Sequence, residues 1–408
     1  MTTPVGVYIS VPFCKAKCTF CNFASDAFGS SRMQVYVDRL CVEIRESRRS
    51  AGKMGVVLPR VADSIYFGGG TPSLLAPEQF QQIFKALHDE FEVARNAEIT
   101  LECAPGQLAD ETLDELLRQN MNRISFGVQS FVDRESSAVG RLHTAQQCIA
   151  EIARVRSAGV EEISLDLIAG LPHQTEQGWR HSLDQAIATE VPHLSVYMLE
   201  VDEESRLGKE MLAGGARYQA SAVPPEDDAA AWYQIACEVF DEAGLAQYEI
   251  SNFARPGHAS RHNLKYWHRQ PYIGFGLDAH SMLLSKEAAA RFANPSDLDV
   301  YLSQTNTVNP SGLHQLANRP NANEADVIGH TEAFEESLFL GLRLNEGVDL
   351  NHLRKQFGDG LLDGAMPAVF EVRDAGLLEL NGERLRLTPH GRLVSNEVFN
   401  RLLISAAA

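Results

Sequence analysis

The chain is short of positive charge, of long apolar runs and of cysteine. Its 408 residues carry 36 Lys and Arg against 54 Asp and Glu, a formal net charge of −18. That balance excludes wholesale electrostatic binding to nucleic acid or anionic lipid and leaves room only for a local basic patch. No stretch approaches the roughly 20 apolar residues that a membrane-spanning helix needs. The opening Met1-Thr2-Thr3-Pro4-Val5-Gly6 has neither the basic leader nor the apolar core of a signal peptide, so a cytoplasmic protein is expected. Internal repeats and low-complexity tracts are missing too. The seven cysteines are an odd number, and three fall between Cys14 and Cys21. Where thiols are kept reduced, such crowding reads as metal binding before disulfide bonding.

What is present is an ordinary globular composition, 44% apolar and 22% charged, at a length that suggests one large domain and a smaller one. Short apolar runs at Val5–Val11, Ser64–Phe67, Glu98–Glu102, Arg123–Val128, Ile163–Ile168 and Leu194–Leu199 read as strands. Amphipathic stretches between them, such as Gln34–Ser47, Pro77–Phe91, Glu111–Gln119, Ala145–Ser157 and Glu176–Ala188, read as helices. Strands alternating with helices pair in parallel through right-handed crossovers. The expected fold is α/β: a partial (β/α)6 TIM-like barrel, with a doubly wound open sheet as its rival. A long helix is expected over Ala220–Ala243, then irregular chain to about His280. Residues 1–285 are taken as the barrel domain, 286–325 as a linker rich in Asn, Pro, Ser and Thr, and 326–408 as a smaller C-terminal unit. Helices at Glu332–Leu344 and Leu350–Phe357, a hairpin at Leu377–Leu380 and Leu385–Thr388, and a closing helix at Arg392–Leu403 give that unit a helical, winged-helix-like character.

Directly after the first strand, Cys14, Cys18 and Cys21 stand at spacings of four and three. Such a tight loop can wrap one corner of an iron–sulfur cubane, because thiolates are soft ligands for iron. Three ligands for four irons leave one iron open. A structural zinc site would want a fourth Cys or His nearby, and Asn22 and Phe23 supply none. In parallel barrels functional side chains collect at the C-terminal strand ends. Read in order, those ends give the Cys triad, Gly69-Gly70-Thr71, Glu102, Gln129, Asp166 and Glu200. The Gly68-Gly69-Gly70-Thr71-Pro72 run has neither the ending of a phosphate-binding P-loop nor a dinucleotide fingerprint; its glycines let backbone approach a ligand closely. Glu102 and Asp166 interrupt apolar strands, and a carboxylate buried there needs a partner.

The Cys-x3-Cys-x2-Cys spacing resembles the signature of the radical S-adenosylmethionine (SAM) superfamily. The resemblance implies a [4Fe-4S] cluster whose open iron is chelated by SAM and whose electron cleaves the sulfonium to a 5′-deoxyadenosyl radical. Tyr8-Ile9-Ser10-Val11-Pro12-Phe13-Cys14, Gly68–Leu75, Arg123–Phe131 and Asp166–Pro172 together resemble the oxygen-independent coproporphyrinogen III oxidase family. That likeness spans nearly the whole chain and implies that Tyr8, Phe20, Gly69, Gly70, Thr71, Glu102, Gln129, Arg141 and Asp166 line the SAM site.

Within that family the chain is similar to the heme chaperone (HemW-like) branch. The decarboxylating dehydrogenase, the alternative reading, carries a fourth Cys two positions after the triad, where this chain has Phe23, and a longer segment before its cluster loop. His262-Asn263-Leu264-Lys265-Tyr266-Trp267 resembles the branch's His-Asn-x-x-Tyr-Trp motif. The resemblance implies heme as a bound partner, delivered to respiratory hemoproteins, with a low-potential electron donor, transient membrane association and no nucleic acid. His262 is the candidate axial ligand, with His280 and Cys237 behind it. Cys103 is expected to be an inert buried thiol. A zinc-bound interaction module without redox chemistry is the reading from outside this class.

Overall fold

A computed structural model of the chain describes residues 3–285, 288–304 and 326–403. The strands, in chain order, are β1 (Val5–Val11), β2 (Val61–Gly69), β3 (Glu92–Cys103), β4 (Arg123–Gln129), β5 (Glu162–Ala169), β6 (His193–Met198), β7 (Ala246–Gln247), β8 (Asn252–Ala254), β9 (Tyr272–Phe275), β10 (His280–Leu284), β11 (Ala289–Ala293) and β12 (Asp326–Ile328). They form one sheet ordered β12-β11-β10-β9-β1-β2-β3-β4-β5-β6-β8-β7. From β1 to β6 every pairing is parallel. The ends of the sheet do not pair, so the structure is a partial barrel, an α/β fold with a helical C-terminal unit.

The six central strands are legible because every second residue, on the face packed against the helices, is apolar. Val5, Val7, Ile9 and Val11 are fully buried, as are Ile124, Phe126, Val128, Ile163, Leu165 and Leu167. The alternate, inward-facing positions are polar. Ser64, Glu98, Arg123 and His193 are each buried, and Arg123 pairs with Glu98 at 3.6 Å and Glu162 at 3.3 Å. The barrel is therefore filled by a hydrogen-bonded polar core rather than by aliphatic layers.

Several expectations are corrected. The stretch taken as irregular before His280 holds β7, β8, a helix at Arg261–Trp267 and β9, and β9 runs parallel to β1 on its outer side. These strands are two to four residues long, too short for any periodicity to show. The Ala220–Ala243 helix begins only at Glu226, because Pro224 and Pro225 disfavour helical backbone before them. Part of the expected linker is ordered: β11 pairs with β10, and Leu298–Ser303 is a helix; residues 305–325 lie outside the described residues. The closing helix is two pieces, Pro389–Leu393 and Ser395–Arg401.

In the C-terminal unit the helix His330–Arg343 is followed by β13 (Val348–Asp349), the helices Leu350–Phe357 and Asp359–Asp374, and then β14 (Leu378–Asn381) and β15 (Arg384–Leu387); the three short strands are ordered β13-β15-β14. Its core, around Phe334, Leu338, Leu353 and Val372, is continuous with Met282 and Ala289 on the sheet edge. Gly364 lies exposed inside the third of these helices, and a methyl group there would meet nothing within 4 Å. Gly364→Ala should therefore raise stability by about 0.5–1 kcal/mol, checked by chemical denaturation.

Candidate functional site

The C-terminal ends of the parallel strands open on a cavity of about 760 Å³. The first wall is the loop after β1. A bridge between Phe13 and Asp26, with Cys14 N–H donating to Asp26 O (3.0 Å) and Asp26 N–H to Pro12 O (3.0 Å), clips that loop at its base. Phe20 packs on the cluster of Val139, Ile168 and Leu171, as does Leu199, which holds the loop's far side to the end of β5. Cys14, Cys18 and Cys21 all face the cavity, half-buried. Burial, first of all, raises the Cys14 and Cys21 thiols above their ordinary range, and hydrogen bonds to Ser25 pull the other way. Among the described residues no three His, Cys, Asp or Glu side chains converge to hold a single metal ion. The loop offers three soft donors and no fourth. That donor set suits a cubane with one free corner and does not close a tetrahedral zinc site.

β2 ends on glycines because nothing else fits. Gly69 has a φ of +101°, and a Cβ on Gly70 would stand 2.8 Å from both Val11 O and Phe13 O and 3.0 Å from the Cys14 Sγ. Gly70 N–H donates to Val11 O and Thr71 N–H to Phe13 O, both at 2.8 Å, so this turn and the cysteine loop are laced together. β4 ends on Gln129 at a φ of +69°, a left-handed backbone that costs a non-glycine residue about 1 kcal/mol or more and recurs where side chains are aimed at ligands. Gln129 and Arg141 lie over Gly127, and Arg141 bonds Gly127 O and reaches the Cys18 Sγ at 3.6 Å. The Gln129 Oε1 and the Arg141 Nε are buried without a partner. Orphaned polar atoms in the cavity wall call for a polar ligand.

Two carboxyls face these groups. Burial first, then the nearby Asp166, pushes Glu102 up to about 7, although it accepts a hydrogen bond from the Tyr66 hydroxyl at 2.9 Å. Burial pushes Asp166 up to about 6 against hydrogen bonds from Ser195 and Ser125. Two acids held this close to neutrality are prepared for a cation, which restores the charge that burial disfavours. With a cationic ligand such as SAM, binding should tighten as pH rises through about 7 and level off above it, because only the ionised carboxylates attract the cation. Tyr66→Phe removes a bond that favours ionised Glu102 and should move that midpoint upward. Isothermal titration from pH 5.5 to 8.5 checks both.

Eight of the nine residues expected around SAM line this cavity: Phe20, Gly69, Gly70, Thr71, Glu102, Gln129, Arg141 and Asp166. Tyr8 lies next door, on a cavity of about 340 Å³ that shares Gly69, Phe23 and Ser25. Glu200 is also on the wall. Cys103 borders the cavity, but its thiol donates to the Ser73 Oγ at 3.3 Å and burial pushes it up to about 12, so it keeps its proton.

His262 is not brought to the cavity. Its helix plugs the opposite end of the barrel, where Glu98 accepts from the backbone N–H groups of Arg261 and His262. The imidazole is 2% exposed, with Nδ1 bonded to the Ser64 Oγ and Nε2 to the Tyr266 hydroxyl, each at 2.9 Å. Burial drives it down to about 3, a neutral ring with both nitrogens engaged. As an iron ligand it would have to give up one of these bonds inside the barrel. It stacks on Tyr66 at 5.2 Å, and through Tyr66 the plug reaches Glu102. His280 borders the smaller cavity beside Tyr8, and Cys237 lies on the helix Glu226–Glu242.

Sequence reasoning missed Tyr66, whose strand pattern says only that it points inward, and the roof. Arg343 and the segment from Arg392 to Glu397, all from the C-terminal unit, close over the cavity. No motif marks them.

Comparison with known proteins identifies the family. Residues 8–186 match the model of the radical SAM superfamily, and residues 328–394 that of the HemN C-terminal domain. The chain is 32% identical to the heme chaperone HemW of Bacillus subtilis over 98% of its own length and 99% of the relative's. It is 30% identical to the mitochondrial radical S-adenosyl methionine domain-containing protein 1 of Mus musculus, over 98% and 88%. The solved coproporphyrinogen III oxidase (HemN) of Escherichia coli, described as a radical SAM enzyme, superposes with a TM-score of 0.78 at 20% identity, covering 98% of this chain and 90% of that one. The chain thus belongs to the HemN/HemW family of radical SAM proteins, a membership that implies a [4Fe-4S] cluster and SAM.

Proposed function

We propose that this protein is a cytoplasmic heme chaperone, binding heme and handing it to respiratory hemoproteins while carrying a [4Fe-4S] cluster and SAM. The observation that carries the reading is its likeness to HemW proteins along almost the whole chain. Phe23, 61% exposed beside the thiols, stands where the dehydrogenase branch has a further cysteine. Cys14, Cys18 and Cys21 would hold the cluster, which when bound supplies an electron of low potential from an external donor. Gly69, Gly70 and Thr71 would accommodate the methionine part of SAM. Glu102 and Asp166 would balance its positive charge, and Gln129 and Arg141 would take up its remaining polar atoms. Contact with membrane-bound recipients would be transient. No helix of the described residues is long and apolar enough to cross a membrane.

Heme added to anaerobically reconstituted protein should shift the Soret band with saturable binding, and the heme should pass to an apo-hemoprotein acceptor. Anaerobic conversion of coproporphyrinogen to protoporphyrinogen in the presence of a reductant and SAM would overturn the chaperone reading in favour of the dehydrogenase.

A further inference from the structure

The His262–Trp267 helix lies outside the SAM cavity, yet it is built into a column of side chains that rises to it. The register of the parallel strands sets the inward residues of β1, β2 and β3 in layers: Gly6 beside Ser64 and Glu98, then Tyr8 beside Tyr66 and Thr100. Glu102, two residues beyond Thr100, stands above them on the cavity wall. Two glycines make room for the column. A Cβ on Gly6 would lie 2.7 Å from the Lys265 Cδ and 3.4 Å from the His262 Cε1, so the lowest layer stays open for the plug helix. A Cβ on Gly68 would lie 3.0 Å from the Tyr8 hydroxyl and 3.1 Å from the Glu102 Cδ, so the top stays open for those two side chains.

Tyr66 is the middle of this column. Its ring packs on Tyr8 (centroids 6.0 Å apart, planes at 23°) and on His262 (5.2 Å, 29°), and its hydroxyl donates to Glu102 at 2.9 Å. The imidazole beneath it is fixed in turn, with Ser64 and Tyr266 on its two nitrogens. The helix that carries the imidazole is pinned at three points. Glu98 accepts from its first N–H groups. The buried Lys265 reaches Asp63 at 2.7 Å and Pro4 O at 3.1 Å. Trp267 lies 4.3 Å from the Arg343 guanidinium of the roof. A group that meets a ligand holds its direction only when its supporting side chains are themselves locked by packing and hydrogen bonds.

We infer that His262 is a positioning residue of the SAM cavity: it fixes the Tyr66 ring, and the Tyr66 hydroxyl holds the Glu102 carboxylate toward a cationic ligand. The inference rests on SAM binding in this cavity and gives the His262–Tyr266 pair a task that needs no heme iron. A hydrogen bond donated to a carboxylate favours its ionised form, so whatever loosens Tyr66 disfavours the form of Glu102 that attracts a sulfonium. Glu102 is faced by Tyr66 from β2, Tyr8 from β1, Asp166 from β5, Tyr197 from β6 and Tyr266 from the plug. Of these only Asp166, pushed up to about 6, changes charge near neutrality, and it does so below Glu102.

The test is calorimetric titration of the full-length, cluster-loaded protein with SAM across the pH range, with heme titrated separately and read by absorbance. Tyr66→Phe should raise the midpoint of the SAM pH profile by about one unit, the worth of a hydrogen bond to a charged group. His262→Ala should move it the same way, and Tyr266→Phe, which removes one hydroxyl and frees Nε2, should move it less far. In a Tyr66→Phe background His262→Ala should add no further shift, because both changes act through one contact. A role confined to stability would lower the denaturation midpoint of these variants and leave the pH profile in place. Wild-type profiles in His262→Ala and Tyr266→Phe would therefore overturn the inference, as would shifts that add in the double variant. Should His262→Ala fail to fold, Tyr266→Phe decides by the same criterion. Loss of the heme Soret shift in His262→Ala with the SAM profile unmoved would overturn it as well and make His262 the heme ligand. Absence of SAM binding by the wild-type protein at every pH would remove the SAM reading itself, a result visible before any variant is made.

Discussion

Cys18→Ser protein, reconstituted without oxygen, is expected to hold at most about a tenth of the wild-type iron and sulfide and to lose the cluster's visible absorbance. A serine oxygen is a hard donor with a much higher pKa than a thiol, and it is a poor ligand for iron in a sulfide cage. Outer-shell changes alone typically lower metal affinity 10- to 100-fold, so losing one of only three ligands should do at least as much. Cys18 also accepts from Arg141, so the variant frees a buried cation whose Nε already lacks a partner. Cys148→Ala is the control: that residue, on the core-facing side of the helix Ala145–Ser157, is 1% exposed, and the variant should leave iron content unchanged. Full iron in Cys18→Ser would contradict the cluster assignment of the loop.

Gly70→Val should come second in size. The added Cβ would press within 2.8 Å of the Val11 and Phe13 carbonyls, the same oxygens that accept from Gly70 and Thr71, and within 3.0 Å of the Cys14 sulfur. Backbone atoms cannot swing aside as a side-chain tip can, so the turn and the thiol loop must separate. Overpacking of this kind costs about 1–3 kcal/mol, which at 1.4 kcal/mol per decade is roughly a 5- to 100-fold loss of SAM affinity. Calorimetric titration with SAM on cluster-loaded protein measures it. Wild-type affinity in Gly70→Val would show that SAM does not lie along this turn.

Much of the barrel and of its mouth was legible because of one physical rule. Each strand carries an apolar residue at every second position, and a carboxylate such as Glu102 or Asp166 between them, or a run of three glycines at a strand end, stands out in that pattern. The signal fails where a structure depends on partners distant in sequence. β9 joins β1 through four residues, too few to show a period. The Arg392–Glu397 roof reaches the cavity only through the packing of the C-terminal unit on the sheet edge. His262 shows the opposite failure. Beside Tyr266 and Trp267 it reads as a ligand, yet Ser64, fixed by the register of β2, takes its Nδ1 and turns it into part of the barrel's polar filling. Residue type suggested the chemistry, and burial decided it.

The roof has a consequence for handling the protein. Because Arg343 and the Arg392–Glu397 segment close the cavity from the C-terminal unit, shielding of the thiol loop depends on that unit staying packed on the sheet edge. A truncated chain ending near residue 304 would leave that loop open to bulk solvent. Any cluster it assembled under argon would be lost on exposure to air far faster than from the intact chain, which makes aerobic half-life a direct readout of docking.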